Sequence, residues 1–96
     1  MSARKLKRIS FIDLEATCWD DKDFQKEHSE IIEIGCCLLD IPTLSIVDKR
    51  SIYVIPEDPV AYPLSDYCTE LTGITDSILK KRGKSFPDAI NELCKY

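Results

Sequence analysis

Arg8-Ile-Ser-Phe-Ile-Asp-Leu-Glu-Ala-Thr-Cys-Trp19 is the stretch on which the fold of this 96-residue chain turns. Ile9, Phe11, Ile12 and Leu14 put apolar side chains on both faces of the segment, the pattern of a strand covered on both sides of a sheet. A side-chain period of two then places Asp13 and Glu15 on one face, with Cα atoms roughly 6.5–7 Å apart at the rise of an extended strand. Two carboxylates so close to buried surface repel each other and lose hydration unless a proton or a cation compensates. Ala16 and Thr17, which follow, are small enough for a ligand to reach the backbone. The chemistry calls for a hard, oxygen-seeking ion, Mg²⁺ or Mn²⁺, because no Cys/His group of the zinc kind lies nearby.

Length and composition set the frame. Ninety-six residues make at most one domain, burying somewhat over 60% of the unfolded surface by the usual size scaling. Hydrophobic content of 44% and charged content of 31% are those of an ordinary globular protein and exclude a disordered chain. A net charge of −4 rules out a general electrostatic field for nucleic acid, so any such binding must be local. Two basic groups exist, Arg4, Lys5, Lys7 and Arg8 before the first strand and Lys80, Lys81, Arg82 and Lys84 around Gly83. Both are expected to be solvated charges, the second at a helix end where cations suit the dipole. The five cysteines, Cys18, Cys36, Cys37, Cys68 and Cys94, are odd in number and lack a Cys-x-x-Cys spacing, which points to reduced thiols rather than a disulfide framework. Cys36 and Cys37 lie in an apolar run and read as core residues. No stretch reaches the roughly 18 apolar residues of a membrane span, and no signal-peptide core follows the basic start, so a cytoplasmic protein is expected.

Along the chain, residues 20–27 read as a polar loop of weak helical tendency, and His28, the only histidine, as a loop or surface residue. Glu30–Leu39 and Ser45–Ile55 form a hairpin, with Gly35 marking a bulge or close backbone approach and the second strand running near an edge. Pro56, Pro59 and Pro63 make an extended connection. Ser65 caps a helix over Asp66–Thr72 that Gly73 ends, and Thr75 caps another over Asp76–Arg82 that Gly83 ends in the same manner. Ser85 or Pro87 starts a third helix, carrying Phe86, Ala89, Ile90, Leu93 and Cys94 and still running at Tyr96. The result is an incomplete α/β layer, because a covered first strand needs neighbours on both sides and the hairpin supplies one.

Three stretches together, Phe11–Trp19, Glu30–Gly35 and Leu64–Thr75, resemble the N-terminal half of the DEDDh 3′-to-5′ exonucleases, with the Eri-type exoribonucleases, trimmers of small and structured RNA ends, as the nearest branch. The resemblance implies a ribonuclease H-like fold of which residues 1–96 are the N-terminal portion of a single domain. It implies that Asp13 and Glu15 ligate two Mg²⁺ or Mn²⁺ ions, that Glu15 and Ala16 meet the 3′-terminal nucleotide, and that Leu71 and Thr72 wall the terminal-base pocket; a helix end closed by Gly73 is the alternative account of the last two. RNA is implied in preference to DNA, although no 2′-hydroxyl contact is legible in the residues. The family also needs a second Asp, a His and a third Asp at later positions that this sequence lacks, and His28 lies in the wrong motif to replace the base. Two-metal hydrolysis uses one ion to activate water, the other to stabilise the leaving oxygen, and the His as base. The 96-residue chain alone is therefore expected to be inactive, or else a non-catalytic module, completed by a complementary chain or by self-association.

Overall fold

The computed structural model describes residues 6–96. Arg4 and Lys5 of the first basic group lie outside them. Three strands, β1 (Arg8–Ala16), β2 (Ile31–Asp40) and β3 (Ser45–Tyr53), form an antiparallel sheet in the order β1-β2-β3. Four helices accompany it: α1 (Lys22–His28), α2 (Asp66–Thr72), α3 (Asp76–Arg82) and α4 (Phe86–Cys94).

Two small cores hold the sheet. Ile34, Cys36, Ile52 and Val54 meet Ala89, with Ile90, Leu93 and Tyr96 packed around them, so α4 covers one face. Near the other end of the sheet Ile32 meets Cys18, Leu64, Cys68, Ile74 and Leu79, with Tyr53 against them, which brings in α2 and α3. The bulge between Glu15 and Ala16 leaves one surplus residue on β2, Ile32, while the alternation that buries Ile32, Ile34 and Cys36 runs on unbroken.

Local signals placed α2 and α3 at the expected residues. Ser65 Oγ accepts the Cys68 N–H and Gly73 ends α2 in the left-handed region at φ 77°, while Thr75 caps α3. Gly83 differs: it is extended, and a Cβ there would run into the Leu79 carbonyl and the Ile55 side chain, so it is a glycine for space. α4 covers Phe86–Cys94, and Lys95 after it keeps right-handed helical dihedrals. Lys84, just before the N-cap Ser85, pairs with Glu92 in the last turn. The segment expected as a loop at 20–27 contains α1, because Asp21 caps it by accepting the Asp23 and Phe24 N–H groups and Phe24 and His28 stack beside Trp19. Gly35 is neither a bulge nor a tight approach, since a Cβ would meet only the Asp13 carbonyl at 3.6 Å.

Among the described residues β1 has β2 on one side only, as an incomplete layer requires, and the side chains read as covered are open there: Ile9 is 38% exposed, Phe11 52%, Ile12 53% and Leu14 51%. The apolar pattern is present, but among the described residues no strand lies beyond β1. Cys37 is likewise only half-buried while Cys36 is in the core.

Candidate active site

The β1–β2 register fixes where the two acids point. Asp13 stands opposite Gly35 and Glu15 opposite Glu33, with no irregularity before the step from Glu15 to Ala16. Asp13 and Glu15 therefore project from the same face, as the alternation requires. That face also carries Phe11, Cys37, Lys49 and Ser51, which are cross-strand partners of one another or of Gly35. Asp13 lines an open depression of about 630 Å³ together with Phe11, Gly35, Cys37, Lys49, Ser51 and Arg82. Gly35, having no side chain, leaves the floor beside Asp13 clear. Arg82, the last residue of α3, closes one side, its guanidinium 4.7 Å above the Tyr53 ring.

Asp13 is exposed and Glu15 half-buried, and no ion pair among the described residues involves either. Their donors are all carboxylate oxygens on an accessible surface, the set that takes Mg²⁺ or a similar ion with waters and substrate phosphate filling the remaining positions. Two carboxylates are only part of a two-ion site, and among the described residues no cluster of three or more His, Cys, Asp or Glu side chains is disposed to hold a metal.

The turn after Glu15 is tied down on two sides. Thr17, 1% exposed, receives the Glu30 N–H at its hydroxyl (2.9 Å), donates that hydroxyl to the His28 carbonyl (3.3 Å) and bonds the Glu30 carbonyl through its own N–H (2.8 Å). Ser29 Oγ donates to the Thr17 carbonyl at 2.9 Å. On the other side Ser65 Oγ donates to the Cys18 carbonyl at 2.7 Å, and Cys68 Sγ lies 3.8 Å from the Ala16 carbonyl. Burial, then the neighbouring Cys68 thiol, pushes the Cys18 thiol up to about 11, so it stays protonated at neutral pH.

These contacts hold the turn after Glu15 against the start of α2; of the expected site residues only Asp13 lines the depression. Leu71 and Thr72 lie in the last turn of α2, three and four residues after Cys68. Leu71 is exposed, without a core role, whereas the Thr72 hydroxyl donates to the Cys68 carbonyl (2.8 Å) and accepts the Ile74 N–H (3.1 Å), closing the helix end. Sequence reasoning missed the outer supports. Both carboxylate oxygens of Glu30 accept backbone N–H groups, of Glu57 at 3.0 Å and Asp58 at 2.9 Å. His28, at the end of α1 rather than in a loop, sits with Nδ1 2.8 Å from Asp58 Oδ2. That hydrogen bond, helped by the Val60 N–H, holds the Asp58 carboxyl below its usual range. No spacing rule links residues so far apart in the chain.

Comparison with known proteins agrees with the geometry. The Exonuclease (RNase_T) family matches residues 10–96. The chain is 40% identical over 89 residues to the 3′-5′ exonuclease eri1 of Schizosaccharomyces pombe, covering 92% of this chain and 28% of that protein. It superposes with TM-score 0.80 and 37% identity on the nuclease domain of 3′hExo, a DEDDh family member, bound to rAMP, covering 93% of this chain and 42% of that one. A second structure, of a 3′-exonuclease in 3′-end specific recognition of a histone mRNA stem-loop, gives TM-score 0.82 and 36% identity, over 97% of this chain and 40% of that one. The chain thus spans well under half the length of each of these relatives. The α/β arrangement is a partial ribonuclease H-like fold, and exonucleases of the DEDDh kind depend on divalent metal. On the family match and the 40% identity, this chain belongs to the Exonuclease (RNase_T) family, in its DEDDh, Eri-type branch.

Proposed function

We propose that this chain is the N-terminal portion, residues 1–96, of a single 3′-to-5′ exoribonuclease domain that hydrolyses phosphodiester bonds at an RNA 3′ end. The observation that carries the reading is the projection of Asp13 and Glu15 from one face, directly before a turn held against the helix that carries Leu71 and Thr72. The preference for RNA rests on the relative described in complex with a histone mRNA stem-loop.

Asp13 and Glu15 would hold Mg²⁺ or Mn²⁺, whose chemistry when bound is polarisation of the phosphate and activation of water. Ala16 offers backbone at the strand end, and Leu71 an exposed apolar surface for the terminal base; Thr72 holds the helix end that presents it. Further acidic ligands and a general base come from outside these residues, since His28 is committed to Asp58 on the far side of the turn. Alone, these residues are expected to bind metal weakly and to turn over slowly or not at all. No helix among the described residues is long and apolar enough to cross a membrane, and the five free thiols, three of them buried, suit the reducing cytoplasm.

The test is binding of Mn²⁺, followed by electron paramagnetic resonance, with and without rAMP. Asp13→Asn and Glu15→Gln should each weaken binding, and rAMP should shift the methyl resonances of Ala16 and Leu71 in the wild type. Equal Mn²⁺ affinity in wild type and both variants would refute the assignment.

A further inference from the structure

α1 is a helix without a buried residue, so core packing does not account for it. What it does hold is Trp19, the one tryptophan of the chain, three residues beyond Ala16. Phe24 meets the indole at 4.8 Å between ring centroids and 78°, and His28 at 6.4 Å and 78°. Both rings stand nearly upright against the indole, which fixes its plane while leaving it without a stacked ring among the described residues. Gln25 Oε1 accepts the Trp19 backbone N–H at 3.4 Å. The helix itself is joined to the turn through the Thr17 hydroxyl on the His28 carbonyl, and to the 57–58 segment through His28 and Asp58. All of these partners lie within residues 17–58, so the placement of the indole owes nothing to what stands beyond β1.

We propose that Trp19 is a base-stacking platform of the nuclease site, taking the nucleobase immediately 5′ of the terminal nucleotide. This rests on the proposed function, which puts the 3′-terminal nucleotide at Glu15 and Ala16. The turn that follows is gripped from two sides, by Ser65 and Cys68 at the start of α2 and by His28 and Ser29 at the end of α1. Leu71, in α2, is given to the terminal base, which leaves the α1 side and Trp19 for its neighbour. An unpaired strand offers a flat π-face at every base, and stacking on an aromatic ring holds it irrespective of sequence. Stacking also suits a chain of net charge −4, whose field does not attract the phosphates. An indole whose plane is already fixed by Phe24 loses little freedom when a base settles on it.

Nuclear magnetic resonance of the 96-residue chain with Mg²⁺ tests it, since one tryptophan gives one indole N–H signal. The probes are the dinucleotide ApA, rAMP and ribose 5-phosphate. ApA should shift both the Ala16 methyl and the Trp19 indole signals, the latter upfield as ring stacking requires, whereas rAMP and ribose 5-phosphate should shift Ala16 alone. Trp19→Leu should lower the affinity for ApA relative to rAMP by about tenfold, and Trp19→Phe should recover most of it. An indole with only a structural role would change both affinities together. An indole signal that ApA leaves in place while Ala16 shifts overturns the platform and spares the nuclease reading. An indole shifted equally by rAMP also overturns it, because the terminal base is then the one stacked. No response of either signal overturns the platform as well, and the nuclease reading falls with it only if Asp13→Asn binds Mn²⁺ as the wild type does.

Discussion

The hydroxyl of Ser65 donates a 2.7 Å hydrogen bond to the carbonyl of Cys18, a residue 47 positions earlier, while accepting the Cys68 N–H at 3.0 Å. One side chain thus caps α2 and fastens it to the turn beyond the two acids. Ser65→Ala should cost about 1–2 kcal/mol, more than an isolated cap, since it also leaves the Cys18 carbonyl without its partner. Urea unfolding measures the loss, and Ser65→Thr, which keeps the hydroxyl, should recover most of it.

Acid should weaken the bond between α1 and the 57–58 segment. The His28 hydrogen bond holds the folded-state carboxyl of Asp58 below its usual value. For a depressed carboxyl the contribution is complete above the unfolded value of about 3.9 and is lost as pH falls through the lower folded value. Wild type should therefore lose stability below about pH 4 faster than Asp58→Asn, in which that part of the acid limb is missing. Urea midpoints at pH 5 and pH 3 for the two proteins give the comparison.

Two glycines should answer differently to the same change. Gly83→Ala drives a methyl group into the Leu79 carbonyl and the Ile55 side chain and is expected to cost about 1–3 kcal/mol. Gly35→Ala meets only the Asp13 carbonyl, at ordinary contact distance, and should change stability by less than about 1 kcal/mol. Thermal melts of the two variants separate the cases.

Metal should stabilise the fold through the acids. Mn²⁺ at ten times its dissociation constant contributes about 1.4 kcal/mol by mass action. Asp13→Asn should abolish most of the rise in Tm that Mn²⁺ brings, and Ca²⁺-free, chelator-treated wild type should match the variant.

Features set by neighbouring residues could be read directly from the chain. Ser65, Thr75 and Ser85 cap the helices that follow them, and the period of two set Asp13 and Glu15 on one face. α1 escaped because seven residues carry no sustained period and its support comes from Asp21 and the stack of Phe24, His28 and Trp19. The one-sided pairing of β1 was legible, since the hairpin supplies a single neighbour, but the open faces were not: apolar side chains report what a strand is suited to meet, not what covers it. Glu30, His28 and Asp58 were also out of reach, since their pairings join segments about thirty residues apart, which no local pattern records.

The irregularity after Glu15 has a consequence for how the chain can vary. Outward-facing acid and inward-facing Thr17 stand only two positions apart, and the change of phase between them is absorbed by one surplus residue on the opposing strand. Deleting Ile32 would restore an even ladder, but it would remove a fully buried side chain and shift Glu30, whose backbone N–H and carbonyl both bond Thr17, out of step with the turn. The spacing of the partner strand is therefore as much a condition of the acidic pair as the acids themselves.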